Sequence, residues 1–130
     1  MSEGIGVRIS AATPEADLDA VVWPGVAVVY YPSAERPEQL QQADARINHL
    51  ERLRGIRPGT IELRPMIESL QGVSRVGELA ASSRRVQALG LGPRIHLSVA
   101  DEALDYVQSE CELQARALGL RAAHSMPVLD

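Results

Sequence analysis

Glu68 is the residue of this chain whose type and position most suggest chemistry. It closes the run Ile61-Glu62-Leu63-Arg64-Pro65-Met66-Ile67 and is followed by Ser69-Leu70-Gln71-Gly72-Val73. The run reads as a buried strand that ends on a carboxylate and turns at a glycine into a helix. Where strands and helices alternate, the C-terminal tips of the strands carry the chemistry. A carboxylate there needs partner groups to act; without them it is a solvated turn residue.

The rest of the chain offers no second catalytic set. His49 lies in a helical pattern and faces away from its apolar stripe. His124, Ser125 and Asp130 are close in sequence, but nothing resembles a nucleophile elbow. Gly90-Leu91-Gly92 lacks the third glycine and helix start of a dinucleotide fingerprint. Arg84-Arg85 reads as a solvated helix end. Arg52, Arg54 and Arg57 read as a solvated face that could also meet an anion. All 13 basic residues are Arg. The absence of Lys excludes a Schiff-base lysine and a phosphate-loop lysine.

Composition narrows the class. The 130 residues are 45% hydrophobic and 23% charged, with a net charge of −4. That is one domain's worth of chain, read as a single domain over 1–130, with enough apolar residues for a core. Scattered arginines, an acidic balance and few aromatics argue against a nucleic-acid partner. No apolar stretch approaches membrane-spanning length. The N-terminus lacks a basic segment followed by an apolar run, so a cytoplasmic location is expected. The lone Cys111 reads as an inert core residue.

The elements that must position Glu68 alternate along the chain. Strands are expected at Gly6–Ser10, Gly25–Tyr31, Thr60–Ile67, Val86–Leu91 and Leu120–His124. Helices are expected at Glu15–Val22, Arg36–Arg54, Ser74–Ala81 and Asp101–Leu118. Thr13 and Pro14 start the first helix. Leu40, Ala43, Ile47, Leu50 and Leu53 make one apolar stripe along the second, and Gly55 caps it. The valine-rich strand Gly25–Tyr31 is expected to be buried on both faces. This order makes an α/β chain of parallel β/α units: either a partial TIM-barrel-like segment of about five strands or an open parallel sheet.

Five motifs in order resemble the HpcH/HpaI aldolase and citrate lyase family, citrate lyase beta-subunit-like branch. Val7-Arg8-Ile9-Ser10 is similar to its V-R-[IV]-N strand. Asp17-Leu18 with Ala20-Val21-Val22 is similar to its D-L-x-A-V helix. Val28 to Pro32 with Glu35 resembles the strand ending P-K-x-E-S. Met66 to Val73 resembles I-E-T-A-x-G-V. Glu78 to Ala81 with Arg85 to Leu89 resembles the next helix and strand. The resemblance implies a barrel segment running from the third to the seventh strand. It implies a Mg²⁺-dependent lyase or aldolase acting beside a carbonyl, often on an acyl-CoA. It makes Arg8 the substrate-binding arginine and Glu68 one metal ligand.

The departures shape the expected function. The second metal ligand belongs in a G-x-x-D-L pattern, where this chain has Gly92-Pro93-Arg94-Ile95-His96-Leu97; Ile95, or His96 with one insertion, takes its place. Ser10 and Ser33 stand for the family's Asn and Lys. No catalytic residue is assigned. The leading reading is a truncated, degenerate citrate lyase beta-like protein with little or no independent lyase activity, an accessory or vestigial subunit. A second is a Mg²⁺-dependent carbon–carbon lyase on an oxo acid or acyl-CoA, completed by a partner chain. A third is a non-catalytic small-molecule binding module. Partnership with another copy or a companion subunit is expected, because a partial barrel leaves strand edges unpaired.

Overall fold

The computed structural model describes residues 4–92, 94–95 and 100–120. Its elements run β1 (Ile5–Arg8), α1 (Pro14–Val21), β2 (Val26–Tyr31), α2 (Pro37–Leu53), β3 (Glu62–Ile67), α3 (Leu70–Ser74), α4 (Val76–Ala80), β4 (Gly90–Leu91) and α5 (Asp101–Ala117). The strands form one parallel sheet in the order β1-β2-β3-β4. The sheet is curled, half of a β/α barrel with helices on its outer side. Four strands are described where about five were expected; residues 121–124 of the expected last strand lie outside the described residues.

Register sorts the side chains onto two faces. Arg8 pairs with Tyr30, and Tyr30 with Arg64, on the inner face. Val29, Tyr31, Leu63 and Ile67 point outward against the helices and are at most 3% exposed. The core therefore lies between sheet and helices. The expectation that β2 is buried on both faces holds for one only. Val26, Val28 and Tyr30 on its inner face are half-buried, because the four strands among the described residues do not close a barrel over them.

The helices form largely where capping and stripe residues place them. Pro14 opens α1, but the Thr13 hydroxyl does not cap it. It donates to Asp17 Oδ1 at 3.2 Å, while Asp17 Oδ2 accepts from the Ser10 amide at 2.6 Å. Leu40, Ala43, Ile47 and Leu50 are buried along α2, and Gly55 ends it at φ +69°. Leu53 departs from the stripe and is 67% exposed, whereas Glu51 is fully buried. Glu51 lies one turn after Ile47, on the inward side of the helix. The helix expected at Ser74–Ala81 is two short ones, α3 and α4, with Arg75 between them at φ −117°. Ser69 starts α3 early, because its Oγ accepts from the Gly72 amide. The strand expected at Val86–Leu91 is regular only at Gly90–Leu91, although Leu63 N–H donates to Arg85 O and Gly92 N–H to Ile67 O. No described helix is long and apolar enough to cross a membrane.

Candidate functional site

Glu68 sits one residue past β3 and is 4% exposed. It is not a solvated turn residue. The Ser33 backbone amide and hydroxyl both donate to its Oε1, at 2.8 and 2.9 Å. Ser33 achieves this with a left-handed backbone at φ +53°, unfavourable for a residue with a Cβ. The Arg94 amide donates to Oε2 at 3.3 Å. Gly92 is pressed against the same carboxylate: a Cβ on it would stand 2.2 Å from Oε2. One side chain thus joins the ends of β2, β3 and β4.

A second clasp lies beside it. Ser69 Oγ donates to Glu35 Oε2 at 2.8 Å. The amides of Glu35 and Arg36 donate to Gln39 Oε1 at 2.8 and 2.9 Å, which fixes the start of α2. The Ala34 amide donates to Met66 O, and a Cβ at Gly72 would stand 2.7 Å from Ala34 O. The β2–α2 loop therefore rests directly on the β3–α3 turn.

Arg8 is exposed at the C-terminal end of β1, on the inner face. One strand separates its position from β3, about 10 Å at ordinary strand spacing. The topology puts Arg8 and Glu68 on one rim of the sheet. Between them, Arg64 donates to Glu62 Oε2 through Nε at 3.0 Å and Nη2 at 2.8 Å, and its guanidinium lies 5.4 Å from the Tyr30 ring centroid. Tyr30 in turn leans over Gly6, where a Cβ would stand 2.7 Å from Cε2. The inner face therefore carries a polar layer of Glu62, Arg64 and Tyr30.

The family resemblance implies Mg²⁺, which takes six oxygen ligands at short range. The described residues do not by themselves supply that shell. Both oxygens of Glu68 already accept hydrogen bonds, and Glu35 is held by Ser69. Ile95 is 4% exposed and packed into the apolar core. No group of three or more His, Cys, Asp or Glu gathers around a common point among the described residues. His96 lies outside the described residues.

The other end of the sheet holds a network that the sequence reading missed. Arg85 is no solvated helix end: it is 5% exposed. Its Nε donates to Asp44 at 2.5 Å, and Nη1 donates to Glu51 and Ile61 O at 2.9 and 3.0 Å. Nη2 donates to Glu51 at 2.7 Å and to Asn48. Glu51 also accepts from the Gly59 and Ile61 amides. Burial pushes the Glu51 carboxyl up, but the Arg85 hydrogen bonds and then the two amides pull it further down, to a net value below the ordinary range. Burial opposes the charge of Arg85 likewise, and Glu51 and Asp44 more than restore it. Arg54, read as part of a solvated face, stacks 3.8 Å from the Trp23 ring centroid and donates to Val22 O. The available signals were an acidic residue one turn past Ile47 and an arginine directly before Val86.

The profile of the HpcH/HpaI aldolase/citrate lyase family matches residues 3–118. Citrate lyase subunit beta of Escherichia coli (strain K12) is 29% identical over 126 residues, covering 89% of this chain and 42% of its own length. A citrate lyase structure from Burkholderia xenovorans LB400 superposes with a TM-score of 0.73 at 19% identity, over 98% of this chain and 46% of that one. The citrate lyase beta subunit from M. tuberculosis, complexed with oxaloacetate and magnesium, superposes with a TM-score of 0.63 at 22% identity, over 91% of this chain and 52% of that one. This chain spans about two fifths of the length of the curated citrate lyase beta subunits it matches. A profile match over most of the chain, with the fold in agreement, places this protein in the HpcH/HpaI aldolase/citrate lyase family.

Proposed function

We propose that this chain is a citrate lyase beta-like half-barrel with little or no lyase activity of its own, acting as an accessory subunit. The observation that carries this reading is the engagement of Glu68. Its Oε1 takes both donors of Ser33, and its Oε2 faces Gly92 and Arg94. A carboxylate satisfied by fixed donors exchanges them for a metal only at the cost of those bonds. Glu68 then serves as a latch between strand ends, and Arg8 is a rim residue with no reaction to support. Calorimetry with Mg²⁺ or Mn²⁺, with and without an oxo acid, tests this on the wild-type protein and Glu68→Gln. No metal-dependent heat in either is the expected result. Metal binding lost in Glu68→Gln, together with turnover, would overturn it.

One observation favours a second reading. Glu68, Glu35 and Arg8 share the rim where the family resemblance puts metal and substrate, and the M. tuberculosis relative was captured with oxaloacetate and magnesium. In this reading a partner chain completes a Mg²⁺ site on Glu68, Arg8 holds a substrate carboxylate through its planar fork, and the assembly is a carbon–carbon lyase. It predicts turnover only after a companion is added. Binding of a CoA ester without metal or turnover would instead mark a non-catalytic binding module.

A further inference from the structure

We infer that the cleft beside Arg85, at the opposite end of the sheet from Glu68, is a binding site for a phosphate group. It lies between α2, the loop before β3 and the segment before β4. Its volume is about 490 Å³, and Asp44, Asn48, Gly59 and residues 81–85 line it. That is the size of a small-ligand site. The inference holds whether or not the chain has lyase activity.

Arg85 decides which polar groups the cleft leaves open. All five of its N–H groups are used, on Asp44, Asn48, Glu51 and Ile61 O. These bonds occupy Asp44 Oδ1, Asn48 Oδ1 and both Glu51 oxygens. What remains is mainly donors. With Asn48 Oδ1 turned to Arg85, Asn48 Nδ2 has no partner among the described residues. Ser83 Oγ accepts from the Arg85 amide at 3.0 Å, which leaves its proton free to donate. The Ser83 and Arg84 amides, in succession, have no acceptor among the described residues. Neither has the exposed Arg84 guanidinium. Successive free amides, a hydroxyl and a guanidinium are the donor set that suits phosphate oxygens. The charges limit the strength. Arg84 and Arg85 balance Asp44 and Glu51, and Asp44 Oδ2 has no partner and opposes an anion. The site binds through its donors and not through a net field, so a dissociation constant on the order of 1 mM is expected.

Titration of the full chain with inorganic phosphate, followed by amide NMR shifts at constant ionic strength, tests this. The Ser83 and Arg84 amide signals should move saturably over the millimolar range. Arg84→Gln removes a charge-assisted donor and should weaken binding on the order of tenfold. Arg84 is exposed and has no partner among the described residues, so this variant should keep the fold. Asn48→Asp keeps an acceptor for Arg85 but adds a negative charge to the cleft, and should abolish binding. Arg52→Gln removes an equal charge outside the cleft lining and should leave binding unchanged. Shifts that stay linear with phosphate, or that chloride reproduces, would overturn the site. So would equal weakening by Arg84→Gln and Arg52→Gln, or phosphate shifts centred on Glu68 and Arg8. Acetate binding as tightly as phosphate would overturn the assignment to phosphate.

Discussion

Glu68 shows how a residue with catalytic credentials can be held by its surroundings. Its bonds to Ser33 and Arg94 are charge-assisted, and its removal leaves the Ser33 amide without its acceptor. Glu68→Ala is expected to lower stability by about 2–3 kcal/mol in urea titrations. Glu68→Gln should cost less, since an amide oxygen can still receive Ser33. Gly92→Ala should destabilise too, because its Cβ would land 2.2 Å from Oε2. The two sites are in contact, so Glu68→Ala/Gly92→Ala should cost less than the two single losses added. An additive result would mean that Gly92 and Glu68 do not share the space that the structure gives them. The strand-end position of Glu68 was legible from the apolar run before it. Its partners were not, because Ser33 and Arg94 reach it from 35 and 26 residues away, Arg94 through its backbone amide and Ser33 through its amide as well as its hydroxyl, and a backbone donor leaves no mark in residue type.

At the scale of elements, the Arg85–Glu51 pair ties α2 to the start of β3 and the segment before β4. Removing one partner of a buried pair strands the other. Arg85→Met is expected to cost about 3–5 kcal/mol, measured by denaturant unfolding. The pair also sets an acid limit. Glu51 in the fold ionises below its ordinary value of 4.5, so its contribution is full above that value. The contribution is lost as pH falls from there through the lower folded-state value, because the unfolded chain takes up the proton first. Stability should therefore drop on acidification below about pH 5, and Arg85→Met should flatten that drop, since burial alone raises a carboxyl. An unchanged pH profile in Arg85→Met would remove Glu51 as its source. The long helices were readable because α2 and α5 repeat apolar residues at helical spacing. Glu51 broke that pattern at an inward position, and it was the break, not the pattern, that marked the network.

Across the whole molecule, the order of strands and helices was readable because each β/α unit carries its own turn and cap residues. The curl of the sheet, its half-open inner face and the irregular segment before β4 depend on neighbours distant in sequence, which no local spacing encodes. The same architecture predicts an order of opening. The centre is β2, β3 and α2, where Val29, Leu63 and Ile47 are fully buried. By contrast, α5 joins the described fold chiefly through α4, and β4 is two residues long. This end should open locally below the free energy of global unfolding. Cys111 reports on it: the residue is 2% exposed, and burial, with Glu110 adding to it, pushes its thiol up to about 11. At pH 8 only about one thiol in a thousand is then ionised, so labelling by a disulfide reagent must await exposure of the helix. Labelling should be slow, yet faster than global unfolding measured on the same sample. Leu79→Ala, which loosens the buried face of α4, should speed it further, whereas Leu18→Ala on α1 should act only through global stability. Equal responses to the two variants would show that α5 opens with the rest of the molecule.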